Sequence, residues 1–287
     1  QRANKVTRGE KISIRVNFEA SEDIDDFHFG IAIFREDGVY CYGPNTKFDG
    51  LAMRQLNKGK GYFELECREL PLMPGIYYIS AAIWDKNETF AYDYHKGNYE
   101  LEILGGSFYG QLLSLAGKWH GFQFQASPSL KYMPNLDYLA DKWGSQSNGG
   151  SVTLGPLKFL NSHSSKDSIF VTGREFKIKA DFKIDASLRR TIKHLILWIG
   201  IYRSDGIYCH GSIKKAASCG LNSEILIYPE LKLLPGGYKA SIGIWDSDAN
   251  NFLAFSHGVN SFNMISEKKD HGTIYLEHRW NLSMPKT

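Results

Sequence analysis

The sequence has nine histidines, four cysteines and 31 acidic residues among 287, so the first test is whether any are spaced for catalysis. The histidines, at positions 28, 95, 120, 163, 194, 210, 257, 271 and 278, pair with no Cys or carboxylate at metal-site or triad spacing. Cys41, Cys67, Cys209 and Cys219 make neither a CxxC nor a zinc-type Cys/His cluster. They lack the Cys…Trp…Cys frame of a secreted immunoglobulin domain and read as reduced thiols. No nucleophile elbow, phosphate-cradling loop or paired glycosidase carboxylates stand out. Asp246 and Asp248 read as turn residues rather than calcium ligands. No catalytic residue, metal or cofactor is assigned.

The chemistry that remains is that of aromatic surfaces. A strand sends alternate side chains to opposite faces. In Leu195–Tyr202, Leu195, Leu197, Ile199 and Ile201 share one face, and Trp198, Gly200 and Tyr202 the other. In Lys239–Trp245 the face opposite Ala240, Ile242 and Ile244 carries Lys239, Ser241, Gly243 and Trp245. Earlier in the chain, His28, Gly30, Ala32 and Phe34 share a face, as do Tyr78, Ser80, Ala82 and Trp84. Small residues leave space above a sheet, and aromatics wall it. A sugar ring packs its C–H face on such walls, while its hydroxyls need polar partners. The candidate carbohydrate-binding residues are therefore Trp198, Tyr202, His210, Lys239 and Trp245, with His28, Phe34, Tyr78 and Trp84 as their counterparts. An acidic sugar would pair with Lys239 or His210. The same pattern also fits aromatics packed beneath a loop, against another part of the chain or in a dimer interface, and it does not name the sugar.

The elements that position these residues occur twice. Leu70–Tyr77 matches Leu231–Tyr238, Ile83-Trp84-Asp85 matches Ile244-Trp245-Asp246, and Lys118-Trp119 matches Arg279-Trp280, all 161 residues apart. Phe34–Cys41 matches Tyr202–Cys209 at 168. Such order and spacing mark two copies of one domain. Period-two alternation over Lys11–Phe18 and Glu175–Phe182, with Asp-Gly and Pro-Gly turns between apolar runs, predicts strands and hairpins. We expect an all-β chain of two tandem antiparallel β-sandwiches, immunoglobulin-like or jelly-roll. The first spans 1–120 without its opening strand. A Pro- and Ser-containing linker covers 121–141, with a short helical turn over Leu136–Trp143, and the second sandwich spans 142–287.

Composition agrees. Aromatics reach 14%, charged residues 23%, and the net charge of +3 shows no basic stripe for nucleic acid. The longest apolar run, near Leu195–Ile201, is only strand-length. The first residues do not read as a signal peptide, and the chain reads as an excised piece of a larger protein.

The ordered set Arg8-Gly9-Glu10, Phe29–Ile33, Asp37-Gly38, Tyr42–Thr46, Leu70–Tyr77, Ile83-Trp84-Asp85, Tyr92-Asp93 and Gly117-Lys118-Trp119 resembles the Wzt C-terminal domain family. This is the carbohydrate-binding domain of the ATP-binding subunit of O-antigen polysaccharide ABC exporters. The second copy resembles it through Lys142-Trp143-Gly144, Thr172–Glu175, Leu233–Tyr238, Ile244–Asp246 and Gly272–Trp280. It departs at Gly211-Ser212-Ile213 and at Ala254-Phe255-Ser256. The resemblance implies a non-catalytic β-sandwich, often a homodimer, at the cytoplasmic face of the bacterial inner membrane. It implies recognition of the non-reducing end of an undecaprenol-linked polysaccharide, coupled to export by ATP-binding and transmembrane subunits. The alternatives are an assembly module of the transporter and a glycan-binding appendage of a polysaccharide-modifying enzyme.

Overall fold

The computed structural model describes residues 4–51, 53–105, 111–115, 118–119, 134, 136–160, 168–188, 192, 194–216, 220–267 and 269–285. Cys219 and most of the predicted linker lie outside this set. Residues up to 108 supply β1 (Lys5–Thr7), β2 (Ile12–Ala20), β3 (Ile24–Arg35), β4 (Tyr40–Gly43), β5 (Met53–Leu56), β6 (Gly59–Cys67), β7 (Gly75–Asp85) and β8 (Ala91–Leu104). The middle of the chain supplies β9 (Lys118–Trp119), β10 (Ser145–Ser147), β11 (Val152–Leu154), β12 (Lys158–Leu160), β13 (Ile169–Val171) and β14 (Phe176–Ile184). There follow β15 (Leu195–Arg203), β16 (Tyr208–Lys215), β17 (Gly220–Tyr228), β18 (Gly236–Asp246) and β19 (Asn251–Ile265). The far end supplies β20 (His271–Gly272) and β21 (His278–Ser283).

Two compact units result: unit 1 holds residues 1–108 with 266–287, and unit 2 holds 109–265. In unit 1 the larger sheet runs β1-β8-β7-β3-β4-β20, with β5 also on β3, and the smaller runs β2-β6-β21. In unit 2 the larger sheet runs β10-β19-β18-β15-β16, with β13 on β19. Its smaller sheet runs β11-β14-β17-β9, with β12 on β14. Pairing is antiparallel except at β1–β8 and β13–β19. The sheets of each unit meet through aromatic rings. Phe29 stacks on Phe63 at 4.3 Å in unit 1, and Phe176 packs on Phe262 at 4.9 Å in unit 2. Each such buried ring contributes about 2–3 kcal/mol by apolar burial.

The repeated motifs are structural joints. Asp37-Gly38 and Asp205-Gly206 turn β3 into β4 and β15 into β16, with the glycines at φ 85° and 93°. Each aspartate holds the arginine two residues before it, Arg35 and Arg203. In the Pro-Gly-x-Tyr motifs the tyrosine hydroxyl donates back to the chain, Tyr77 to the Met73 carbonyl at 2.7 Å and Tyr238 to Leu234 at 2.8 Å. This is the tyrosine corner of β-sandwiches.

The units do not coincide with the sequence copies. The closing strand of the second copy, β21, completes the smaller sheet of unit 1, with Trp280 opposite Leu65. The closing strand of the first copy, β9, completes that of unit 2, with Trp119 opposite Leu226. Trp119 and Trp280 lie 161 residues apart, as do Leu65 and Leu226, so each closing strand occupies the register its own copy would offer. The segments leading into them are exchanged too: Thr273 and Ile274 donate to the Cys41 carbonyl, and Leu112 and Leu113 to that of Cys209. Because the two closing strands read alike, exchange keeps the Trp–Leu register in both units. The expected boundary at 120 therefore shifts: 109–119 belongs with unit 2 and 266–287 with unit 1.

Candidate functional site

Unit 1 carries an open cavity of about 340 Å³ on the outer face of its larger sheet. The register of β3 against β7 builds it in rows: His28 opposite Trp84, Gly30 opposite Ala82, Ala32 opposite Ser80, Phe34 opposite Tyr78. The two middle rows are the floor, and their small side chains leave the space. Aromatic pairs wall it. Phe34 stacks on Tyr40 at 4.6 Å and 15°, and Trp84 leans on Tyr94 at 5.6 Å. Tyr40 lies across Gly43, where any side chain would overlap its hydroxyl. Burial, with the Tyr94 and Asp270 charges adding, pushes the Tyr40 phenol up to about 12, so it remains a donor.

The polar end of the cavity holds His28, Asn45, Glu88 and, from the far end of the chain, His271. His28 is 2% exposed, and its Nδ1 has no hydrogen-bond partner among the described residues. Burial lowers its pKa, with Lys47 adding and Glu88 opposing, so the ring is neutral at pH 7. Glu88 stands 3.9 Å from His28 Nε2 at the tip of a turn capped by Asp85, which accepts from the amides of Asn87, Thr89 and Phe90. Lys47 is held by Glu88 at 2.9 Å and by the Lys86 carbonyl. Asn45 is fixed by the loop that follows β4: its Oδ1 accepts from the Phe48 amide, and Thr46 Oγ1 accepts from that of Phe29. Ser80 Oγ accepts from the Gly97 amide at 2.8 Å, which leaves its proton to donate.

Of the first-copy candidates, His28, Phe34 and Trp84 line this cavity. Tyr78 lies beside Phe34 on the same face, 37% exposed. Tyr92, Asp93 and Phe63 line another hollow of about 420 Å³ in unit 1. Strand periodicity alone did not single out Tyr40, Glu88, Tyr94 or His271, which come from neighbouring strands and turns.

In unit 2 the same face is filled. Its rows are Ile196 with Trp245, Trp198 with Gly243, Gly200 with Ser241, and Tyr202 with Lys239. At the 168 offset, Trp198 stands where unit 1 has Gly30, and Ile196 where it has His28. Trp198 is fully buried, lies over Gly200 and donates its Nε1 proton to the Tyr208 hydroxyl at 3.2 Å. Residues 136–143 form a strap across this face, beginning with a 3-10 turn at Leu136–Leu139. Leu139, 1% exposed, enters a cluster with Trp198, Tyr202, Trp245, Phe252 and Phe255. Trp143 closes on Tyr202 at 5.5 Å and on His257 at 5.1 Å.

The expected binding set in the second copy is therefore redistributed. Trp198, Tyr202 and Trp245 are packing residues beneath the strap. Lys239 places its ammonium 5.1 Å from the Trp143 ring, a cation–π contact. His210 points to the other side: its Nδ1 lies 3.1 Å from the Leu113 carbonyl, its Nε2 3.2 Å from Ser212 Oγ, and burial pushes its pKa down to about 4. Phe252 stands opposite Trp245 as Ala91 stands opposite Trp84, so Phe252 is the counterpart of Ala91.

Residues 1–112 match the family model of the Wzt C-terminal domain. No curated protein matches the chain. Among solved structures, the crystal structure of the C-terminal domain of wzt aligns with 51% of this chain and 95% of its own, at 14% identity and a TM-score of 0.38. An alkylpurine DNA glycosylase of Pseudomonas fluorescens, bound to DNA containing an abasic site analog, aligns with 40% of this chain and 30% of its own, at 11% identity and a TM-score of 0.27. A CARDB domain from Pyrococcus furiosus, in complex with di-metal ions, aligns with 42% of this chain and 94% of its own, at 10% identity and a TM-score of 0.25. The tyrosine corner, the Asp-Gly hairpin and nearly all of the open face fall inside the span that matches the Wzt C-terminal domain model.

Proposed function

We propose that the cavity of unit 1 binds the non-reducing end of a lipid-linked O-antigen polysaccharide, and that this recognition is coupled to export by an ABC transporter. The observation that carries the reading is two aromatic pairs facing each other across a floor of glycine, alanine and serine, with a buried, unpartnered imidazole nitrogen at one end. Trp84 or the Phe34–Tyr40 pair takes the C–H face of a sugar ring, and Ser80, Tyr40 and His28 take its hydroxyls. The volume lies near the small end of ligand pockets, about 300–1,000 Å³, which suits an end group better than a run of repeats. The binding partners on this reading are the polysaccharide and the exporter's ATP-binding and transmembrane subunits, and the place of action is the cytoplasmic face of the inner membrane.

Calorimetric titration with polysaccharide from the source organism tests this, using intact chains and chains stripped of their terminal residue. Binding to intact chains alone is expected. Trp84→Ala is expected to weaken it by about 30-fold, the loss of an interfacial aromatic anchor. Equal binding of both chains would replace end recognition by recognition of internal repeats, and no binding would leave the assembly-module reading. A structural role is favoured for the second copy, because the strap and Trp198 fill its face.

A further inference from the structure

The chemistry of the cavity narrows the end group, on the reading that it holds a glycan end. No arginine or lysine lines it among the described residues. Lys47, whose charge reaches His28, is already paired with Glu88 and the Lys86 carbonyl. Three carboxylates lie around the site. Glu88 is in the lining, Asp85 lies behind His28, and Asp270 is close enough to raise the Tyr40 phenol. Asp85 is saturated by three amides and the Thr89 hydroxyl, so it stays charged. An anionic end group would enter a field of its own sign, with no lysine or arginine among the described lining residues to receive it.

The buried His28 nitrogen sharpens the point. A neutral imidazole nitrogen either donates or accepts, according to tautomer. A phosphate or carboxylate can only accept, and its charge would lie close to Glu88. A hydroxyl both donates and accepts, so it satisfies His28 Nδ1 in either tautomer. We infer that the unit 1 cavity selects an uncharged pyranose terminus, presenting hydroxyl or apolar substituents to His28 and the aromatic walls, and rejects phosphorylated and uronic-acid termini.

The test uses the whole chain and the methyl glycosides of glucose, galactose and mannose, each beside its 6-phosphate and its uronate. The readout is the indole N–H resonance of Trp84, assigned with Trp84→Phe, and the polysaccharide titration is run on the same sample. At least one neutral glycoside is expected to shift that resonance, with its anionic partners weaker by about tenfold. Glu88→Gln, which also releases Lys47, is expected to narrow that gap, and His28→Leu to weaken the neutral glycoside by about tenfold. Anionic glycosides binding as well as or better than neutral ones would overturn the proposal and leave the glycan reading intact. A sample that binds polysaccharide but none of the panel would overturn it as well, because an uncharged hexose ring would then not suffice. A sample that binds neither would overturn both.

Discussion

The outer faces of the two larger sheets share a backbone plan and differ in how they are filled. In unit 1 the centre of the face is Gly30, Ala32, Ser80 and Ala82, and it stays open. In unit 2 a tryptophan replaces the glycine, an isoleucine the histidine, and a leucine from the strap is driven into what is left. In both units the opposite face of the larger sheet packs against the smaller sheet. Duplication thus left one face free to hold something and let the other become core.

The sharpest way to break this contrast is to give unit 1 the residue of unit 2. A Cβ at Gly30 meets its neighbours no closer than 3.7 Å, so Gly30→Trp has room for its first carbon, and its ring is expected to enter the cavity. Polysaccharide binding is expected to fall by about 100-fold or more in the calorimeter. Retention of binding would put the site elsewhere. The converse change, Trp198→Ala, removes a fully buried ring and is expected to cost about 3–5 kcal/mol in chemical denaturation while leaving affinity unchanged. Loss of binding without loss of stability would make the covered face the site. Leu139→Ala, at the buried point of the strap, is expected to cost about 2–4 kcal/mol and to speed hydrogen exchange in β15 and β18.

The smallest expected effect is a pH dependence on the exchanged strand. Burial of His278 opposes its charge, but the hydrogen bond to Asp49 at 2.7 Å, the Leu276 carbonyl and the Asp49 and Asp270 charges raise its pKa overall. A raised value in the folded state stabilises fully below the ordinary histidine pKa, and that contribution fades as pH rises through the folded value. The stability gap between the protein and His278→Gln should therefore be widest in mild acid and close with increasing pH. A gap that widens on going alkaline would contradict the Asp49 pairing.

Much of this was readable from residue order. Period-two alternation placed His28, Phe34, Tyr78 and Trp84 on one face, and the structure keeps them there. The duplicated Asp-Gly and Pro-Gly-x-Tyr motifs marked the hairpin and the tyrosine corner in both copies. Periodicity cannot tell an open face from a covered one, because both alternate. The difference lay in the 168 offset, which pairs Trp198 with Gly30, and in Leu139, which comes from a linker with no periodic signal. Glu88 and His271 reach the cavity through a turn and through the strand exchange, neither of which is encoded in local spacing. The exchange itself was hidden because the Lys118-Trp119 and Arg279-Trp280 strands read almost alike.

That exchange sets a timetable for synthesis. Strand β6 ends at Cys67, and the strand that covers its edge begins at His278. At about 5–20 residues per second, a ribosome needs roughly 10–40 s to cross that interval. During that time the edge of β6 is bare or borrowed by the first copy's own closing strand, which emerges much sooner and fits the same register. A nascent first copy that closed on itself in this way would have to release that strand to reach the finished fold.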